Sequence, residues 1–282
     1  MSLARFADDQ GLHRVGARPP LFSYLKQVWQ RREFAFTMAR FKIQAQQQRN
    51  RLGMLWLVVQ PCLNALIYGL IFGLLQTAAN RPPDYAAYVV IGVFMFEFFS
   101  KSLSNGAKSI TGNRALVQSL AFPRITLPFA VVLENLLALV PMLGVMVVAL
   151  VVMGHFPAWE WLLMLPLLAL YTLFNTGVAM IAARLTVHVR DLTQILPFIN
   201  RILFFTSGVL FSVDRIFEAH PWVIALYDFH PIYQVLQISR GVLMHQGLYA
   251  VHYWILFGAS AVLCFVVGLL FFWVAEERYG RD

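Results

Sequence analysis

Charged side chains are scarce in this chain. Only 13% of its 282 residues are Asp, Glu, Lys or Arg, against 59% hydrophobic residues and a mean hydropathy of +0.65. A soluble globule of this length carries nearer ~25% charge, so a water-soluble fold is excluded. Cysteine is almost missing: Cys62 and Cys264 both fall inside apolar runs without metal-ligand spacing and read as small apolar side chains. Catalytic and nucleotide motifs are missing as well. There is no G-x-x-x-x-G-K-[ST] phosphate loop, no H-E-x-x-H, no G-x-S-x-G, no C-x-x-C, and no D-x-D pair of the kind a metal-dependent glycosyltransferase needs. The seven histidines, at positions 13, 155, 188, 220, 230, 245 and 252, are scattered without ligand spacing. No catalytic residue, metal site or bound cofactor is therefore expected in this chain. Any uphill work must draw its energy from elsewhere.

What the chain does have is long apolar runs separated by short charged loops. Continuous runs of this length indicate helices, because a lipid-embedded barrel shows alternating segments of about ten residues. The predicted fold class is all-α, a polytopic membrane protein. Of the 22 Lys and Arg, 18 fall before Leu52, in residues 100–124, in 184–192 or after Trp273, whereas Arg81, Arg215 and Arg240 fall in the alternate loops and Arg201 lies inside a run. That asymmetry accounts for the net charge of +8 by topology, with no nucleic-acid partner, and puts both termini in the cytoplasm with an even number of crossings. Some fifty polar and basic residues precede the first run, so no cleavable signal peptide is expected.

Residues 1–21 show no apolar period and are expected to form a flexible cytoplasmic tail. From Phe22 the apolar residues Phe22, Leu25, Trp29, Phe36, Ala39 and Ile43 recur at helical spacing among Lys26, Arg31, Arg32, Glu33, Arg40 and Lys42. This predicts an amphipathic helix over about 22–47, lying in the membrane interface or packed on a small cytoplasmic domain. Spans are predicted at about 52–75, 85–104, 125–153, 162–183, 192–213 and 251–275, six in all. The first carries Gln60, Pro61 and Asn64, with Gly69 and Gly73 at small-xxx-small spacing; the amides serve close packing or face a polar path. Glu97 and Lys101 stand at ion-pair spacing near the end of the second. Residues 105–124 form a cytoplasmic loop with a short helix between two turns, beginning near Asn113 and Arg114, that either inserts into a soluble partner or is simply solvated. Glu134 in the third span and Arg201 in the fifth stand at similar predicted depth. They either pair or line a path, unless Arg201 snorkels to the interface. Residues 214–250 are too apolar for a solvated loop and are predicted to hold two short re-entrant helices, about 217–227 and 231–244.

Taken together these residues resemble the permease subunits of ABC-2-type transporters that export lipid-linked polysaccharides. The basic interfacial helix is followed by Leu52, Gly53, Leu55, Trp56, Gln60, Pro61 and later Phe72 and Gly73. Asn113, Leu116 and Val117 precede Phe122, Pro123 and Arg124; Arg190 with Asp191 matches the second loop; His230, Pro231, Ile232 and Tyr233, then Arg240 and Gly241, match the outer segment. The family more often has Asn where His230 stands. The resemblance covers about residues 22–275.

It implies a homodimer in the bacterial plasma (inner) membrane that binds two copies of a separate ATP-binding subunit, which holds the ATP and Mg. The cargo it implies is a glycan on a polyprenyl pyrophosphate, such as O-antigen or an actinobacterial cell-wall galactan; teichoic acid, capsule, a drug or another lipid are the alternatives. Asn113, Arg114, Leu116, Val117, Arg190 and Asp191 would couple to the ATPase, and Tyr227, His230, Tyr233 and Arg240 would close the external end. Arg31, Arg32, Arg40, Arg49 and Arg51 would collect the pyrophosphate, or serve only attraction to anionic membrane lipids. Trp56, Gln60, Asn64, Glu134 and Arg201 would line the path. Phe94, Phe96, Phe98 and Phe99 form the candidate aromatic slide for sugars, with core packing or lipid contact as their ordinary alternative.

Overall fold

Helix boundaries in the computed structural model follow the apolar runs and the breakers between them; it describes residues 20–48, 53–77, 81–119, 122–244 and 251–276. The helices are α1 (Leu21–Gln30), α2 (Arg32–Gln48), α3 (Trp56–Leu75), α4 (Tyr85–Ala107), α5 (Arg114–Ser119), α6 (Thr126–Val152), α7 (Met164–His188), α8 (Leu192–Thr206), α9 (Val213–Ile216), α10 (Pro221–Tyr227), α11 (Pro231–Met244) and α12 (Val251–Val274). There is no strand among the described residues. Five helices, α3, α4, α6, α7 and α12, are long and apolar enough to cross a bilayer. Pro61 and Pro141 sit inside α3 and α6 without ending them, as apolar spans allow when neighbouring helices support the freed carbonyls. α4 is the central helix. It packs on α3, α6, α7, α8 and α11, while α12 lies along α7.

Three expectations change. The amphipathic segment is two helices instead of one, broken at Arg31, where φ is −100° and ψ 17°. The break lets α1 and α2 bury different faces. Ala35 and Ala39, one turn apart, are fully buried on α2, which packs along α6. Tyr24 of α1 is buried instead at the end of α12, where its hydroxyl donates to Glu276 Oε2 at 2.7 Å and accepts from Ile125 N at 3.2 Å. Arg124 completes the knot, its backbone N–H donating to Glu276 Oε1 at 3.0 Å and its guanidinium to the Glu276 carbonyl at 2.6 Å. Ile110, Val117, Ile125, Leu127 and Phe272 pack around it. The exposed side of α1 carries Phe22, Leu25 and Trp29, an apolar stripe suited to a membrane interface.

The helix beginning at Leu192 stops at Thr206, well short of Val213. Gly208 turns the chain with φ +68°, a conformation that favours glycine, and the carbonyls beyond it turn inward. They are taken up by side chains: Tyr88 Oη donates to Gly208 O and Phe211 O, Tyr85 Oη and Gln76 Nε2 both donate to Leu210 O, and Arg240 Nη2 donates to Gly208 O and Val209 O at 3.0 Å each. This clasp is what lets irregular backbone persist beside apolar helices. The close helix approaches also lie elsewhere than expected. Gly73 meets Tyr85 at ordinary contact, whereas a Cβ on Gly177 would lie 2.5 Å from the Cys264 carbonyl, and one on Gly106 would lie 2.5 Å from Ala179 Cβ.

Candidate functional site

One face of α4 breaks the apolar rule of its surroundings. Glu97, Ser100, Lys101 and Ser104 follow the i, i+3, i+4, i+7 spacing of a single helical stripe, and Lys108 continues it past the helix end. Glu97 is twelve residues beyond Tyr85, about 18 Å along the axis at 1.5 Å per residue, so the stripe starts deep in a span. Glu97 and Lys101 form an ion pair at 3.1 Å and keep 17% and 28% of their side-chain surface exposed. On one flank Asn200 of α8 donates to Ser104 Oγ at 2.7 Å and to the Ser100 carbonyl at 3.4 Å. On the other, Asn105 donates to Asn135 Oδ1 of α6 at 3.4 Å.

An aromatic cluster bounds this stripe. Phe96 of α4 meets Phe204 of α8 edge-on at 5.2 Å, and Phe204 and Phe205 in turn meet Tyr68 of α3 at 5.0 and 6.5 Å. Phe72 reaches Phe205 at 6.1 Å. Gly69 and Gly73 of α3 lie against Val89 and Tyr85 of α4, which sets the two helices antiparallel and places the cluster toward the Tyr85 end. Trp56, Gln60 and Asn64 precede Tyr68 at four-residue intervals, in one column on α3, with Trp56 and Gln60 exposed and Asn64 half-buried.

The four phenylalanines proposed as a slide are core. Phe94, Phe96, Phe98 and Phe99 are each at least 96% buried, and Phe98 and Phe99 pack on Tyr171 and Phe174 of α7. Phe94 instead lines an apolar crevice between α3, α4 and α6 with Leu66, Val89 and Val145. Glu134 and Arg201 form no ion pair: Glu134 is buried on α6 and Arg201 is exposed on α8. Arg31, Arg32 and Arg40 are exposed, and Arg32 lies over the Trp29 ring at 5.2 Å. Arg49 and Arg51 lie outside the described residues.

At the end holding the Tyr24 knot, the turn before α5 packs on α7. Asn113 Nδ2 donates to the Ser109 carbonyl at 2.6 Å, Leu116 is half-buried and Val117 buried, while Arg114, Arg190 and Asp191 are exposed. At the opposite end Tyr227, His230 and Tyr233 gather, with Tyr227 and Tyr233 edge-on at 5.4 Å, and Arg240 sits over the Tyr88 ring at 3.3 Å. No group of three or more potential metal ligands occurs among the described residues.

The family model for ABC-2 type transporters matches residues 34–244, the stretch that contains the polar stripe, the aromatic cluster and the clasp. The chain belongs to this family. Among similar proteins, an O-antigen export system permease from Klebsiella pneumoniae is 29% identical over 231 residues, covering 82% of this chain and 87% of that protein. One of the same description from Myxococcus xanthus is 27% identical over 68% of this chain and 73% of its own length. A polysialic acid transport protein from Escherichia coli is 22% identical over 69% of this chain and 74% of its own.

Within this ABC-2 chain the His230 departure has a structural account. His230 Nδ1 accepts from Tyr233 N at 3.2 Å, the bond an N-cap side chain makes to the third residue of a helix beginning at Pro231. Asparagine is a favoured residue at this position, so histidine fills the same role. Burial holds the His230 imidazole below its usual range. Its folded-state pKa is thus lower than the unfolded value of about 6.5, and the cap's contribution is present above that value and lost as pH falls through the folded pKa. His230→Asn is expected to keep α11 intact and to flatten the acid limb of thermal stability below about pH 6.5. An unaltered acid limb in melting curves of the variant would assign the sensitivity elsewhere.

The Ser100, Ser104 and Asn200 contacts, the clasp donors Gln76, Tyr85 and Tyr88, and the Tyr24 knot were not singled out from sequence. The first had a usable signal: polar residues at helical spacing inside an apolar span. The others join residues more than 100 positions apart, which no local pattern marks.

Proposed function

We propose that this chain is the transmembrane subunit of an ATP-driven exporter that moves a lipid-linked polysaccharide across the plasma membrane. The observation that carries this reading is the likeness to O-antigen export permeases over 82% of the chain. The basic end of the bundle, with α1, α5 and the 189–191 turn, faces the cytoplasm and receives an ATP-binding subunit. A second copy of the chain completes the pathway, and two ATP-binding subunits supply the ATP and Mg chemistry. α8 makes the sixth crossing. Its 15 residues span about 22 Å, and the clasped turn after Thr206 completes the passage within protein. The likeness to polysialic acid transport proteins supports a second reading, in which the cargo is an acidic capsular polysaccharide.

Proteoliposomes holding the chain with its ATP-binding subunit test the reading. Hydrolysis raised by lipid-linked O-antigen glycan supports it; hydrolysis raised only by small amphiphiles replaces it with a different cargo. Arg40 is the described arginine that leads toward the first span. Surface cations attract anionic head groups with about 1 kcal/mol each, so Arg40→Glu is expected to lower export by on the order of tenfold. Assembly, read by cross-linking of copies, should be unchanged. Unaltered export would reduce α2 to an anchor.

A further inference from the structure

We infer that the crevice between α3, α4 and α6 binds one anionic phospholipid of the outer leaflet, with an acyl chain between Leu66 and Val145 and the phosphate at Arg81. The choice of leaflet rests on the proposed orientation of the bundle, in which the Tyr24 knot is cytoplasmic. The crevice has a volume of about 290 Å³, and its side chains are apolar apart from the Cys62 thiol and the Tyr85 phenol. Tyr85 Oη is already committed to Leu210 O, so nothing along the wall asks for a polar ligand. An apolar cavity of about 150 Å³ stays dry and takes up apolar molecules. Leu66 and Leu70 on the α3 wall are each 59% exposed, so the crevice opens toward the surroundings of the bundle, which at this depth are lipid.

Length selects the chain. Cys62 and Leu70, like Val145 and Met153, stand eight residues apart on the walls, about 12 Å at 1.5 Å per residue. That is close to the ~15 Å of one leaflet in a ~30 Å hydrocarbon core, the depth of a phospholipid acyl chain, whereas a long polyprenyl tail would overrun the Cys62 end. Charge selects the head group. Arg81 stands at the outer mouth with its guanidinium over the Tyr85 ring at 5.9 Å, and Arg215 Nη1 donates to its carbonyl at 3.1 Å, so two exposed guanidiniums share one rim. Among the described residues Arg81 has no ion-pair partner, and the neighbouring carboxylate, Asp84, is turned to His155 Nε2 at 3.6 Å. A phosphate at this rim meets planar donors suited to its oxygens. The chain also has a packing task. Only Pro61 and Ala65 of α3 are buried, so an acyl chain wedged between α3 and α6 adds contacts that the protein does not supply.

Native mass spectrometry of the full chain, purified in detergent and mixed with dioleoyl phosphatidylglycerol or dioleoyl phosphatidylcholine, tests the site. The parent is expected to keep one phosphatidylglycerol per chain in preference to phosphatidylcholine. Ala149→Phe, and independently Ala86→Phe from the α4 wall, fill the crevice and are expected to lower retention severalfold. Val148→Phe, on the exposed face of α6, should leave it unchanged. Arg81→Gln is expected to lower the preference for phosphatidylglycerol about fivefold, the worth of one cation at an anionic surface. Circular dichroism of each variant separates a filled crevice from a misfolded chain. Parental retention in both crevice variants would remove the site, and a preference undiminished in Arg81→Gln would remove the head-group contact. Neither an ATP-binding subunit nor a glycan enters the measurement, so failure of the lipid site and failure of the export reading are separate results.

Discussion

Gly177→Val is expected to deplete the folded protein from the membrane. Gly177 of α7 and Gly268 of α12 face each other so closely that a Cβ on either would lie 2.5 Å from backbone of the other helix, at Cys264 in one case and at the Gly177 carbonyl in the other. Backbone atoms cannot rotate aside as a side-chain tip does. The helices must separate instead, and the loss spreads along the whole α7 and α12 contact. Overpacking typically costs about 1–3 kcal/mol, and a clash with backbone at a crossing is expected at or above the top of that range. Small residues at crossings are what hold apolar helices together in lipid, where no hydrophobic drive favours their association. Gly144→Ala and Gly258→Ala serve as controls, since nothing lies within 4 Å of a Cβ at either. Monodisperse protein recovered after detergent extraction should fall sharply for Gly177→Val and hold for both controls. Equal recovery of all three would show that the crossing tolerates separation.

Gly92→Ala is expected to open the clasp around residues 207–211. The added Cβ would stand 2.8 Å from Arg240 Nη2 and 2.9 Å from the Val209 carbonyl. Arg240 is 97% buried and has nowhere to retreat, so its bonds to Gly208 O and Val209 O are forced apart. Each buried polar group left unsatisfied costs about 1–3 kcal/mol. Chymotrypsin cleavage after Phe211 should therefore rise severalfold, with a lower midpoint of thermal unfolding. Arg240→Lys is expected to give a similar result, because one ammonium cannot both span two carbonyls and lie flat over the Tyr88 ring. A variant as resistant to cleavage as the parent would show that Tyr85, Tyr88 and Gln76 suffice.

The long helices were legible because burial in lipid demands unbroken apolar runs. The α6 run was expected at 125–153 and spans Thr126–Val152, and α11 begins and ends at its expected residues. Boundaries failed where polar backbone is satisfied from afar. Nothing in the stretch from Leu192 to Val213 announces that four donors from elsewhere in the bundle, Gln76, Tyr85, Tyr88 and Arg240, will take its carbonyls, so the span was expected to run on. The aromatic slide failed for a related reason. Phe94, Phe96, Phe98 and Phe99 cover three sides of one helix, and α4 is packed against five others. Arg201 shows the same limit: a sequence position gives distance along a helix but not the direction a side chain takes, and of the two directions left open the exposed one is found.

The knot at Tyr24 has a consequence for how the protein is made. Tyr24 and Glu276 are 252 residues apart, so the first helix leaves the ribosome long before its partner exists. Throughout synthesis of the spans α1 must wait at the membrane surface, held there by Phe22, Leu25 and Trp29, before the bond to Glu276 can form. Glu276, made after the α12 span, then closes the bond that fixes α1. A chain truncated before Glu276 would insert its helices and still leave α1 unfastened.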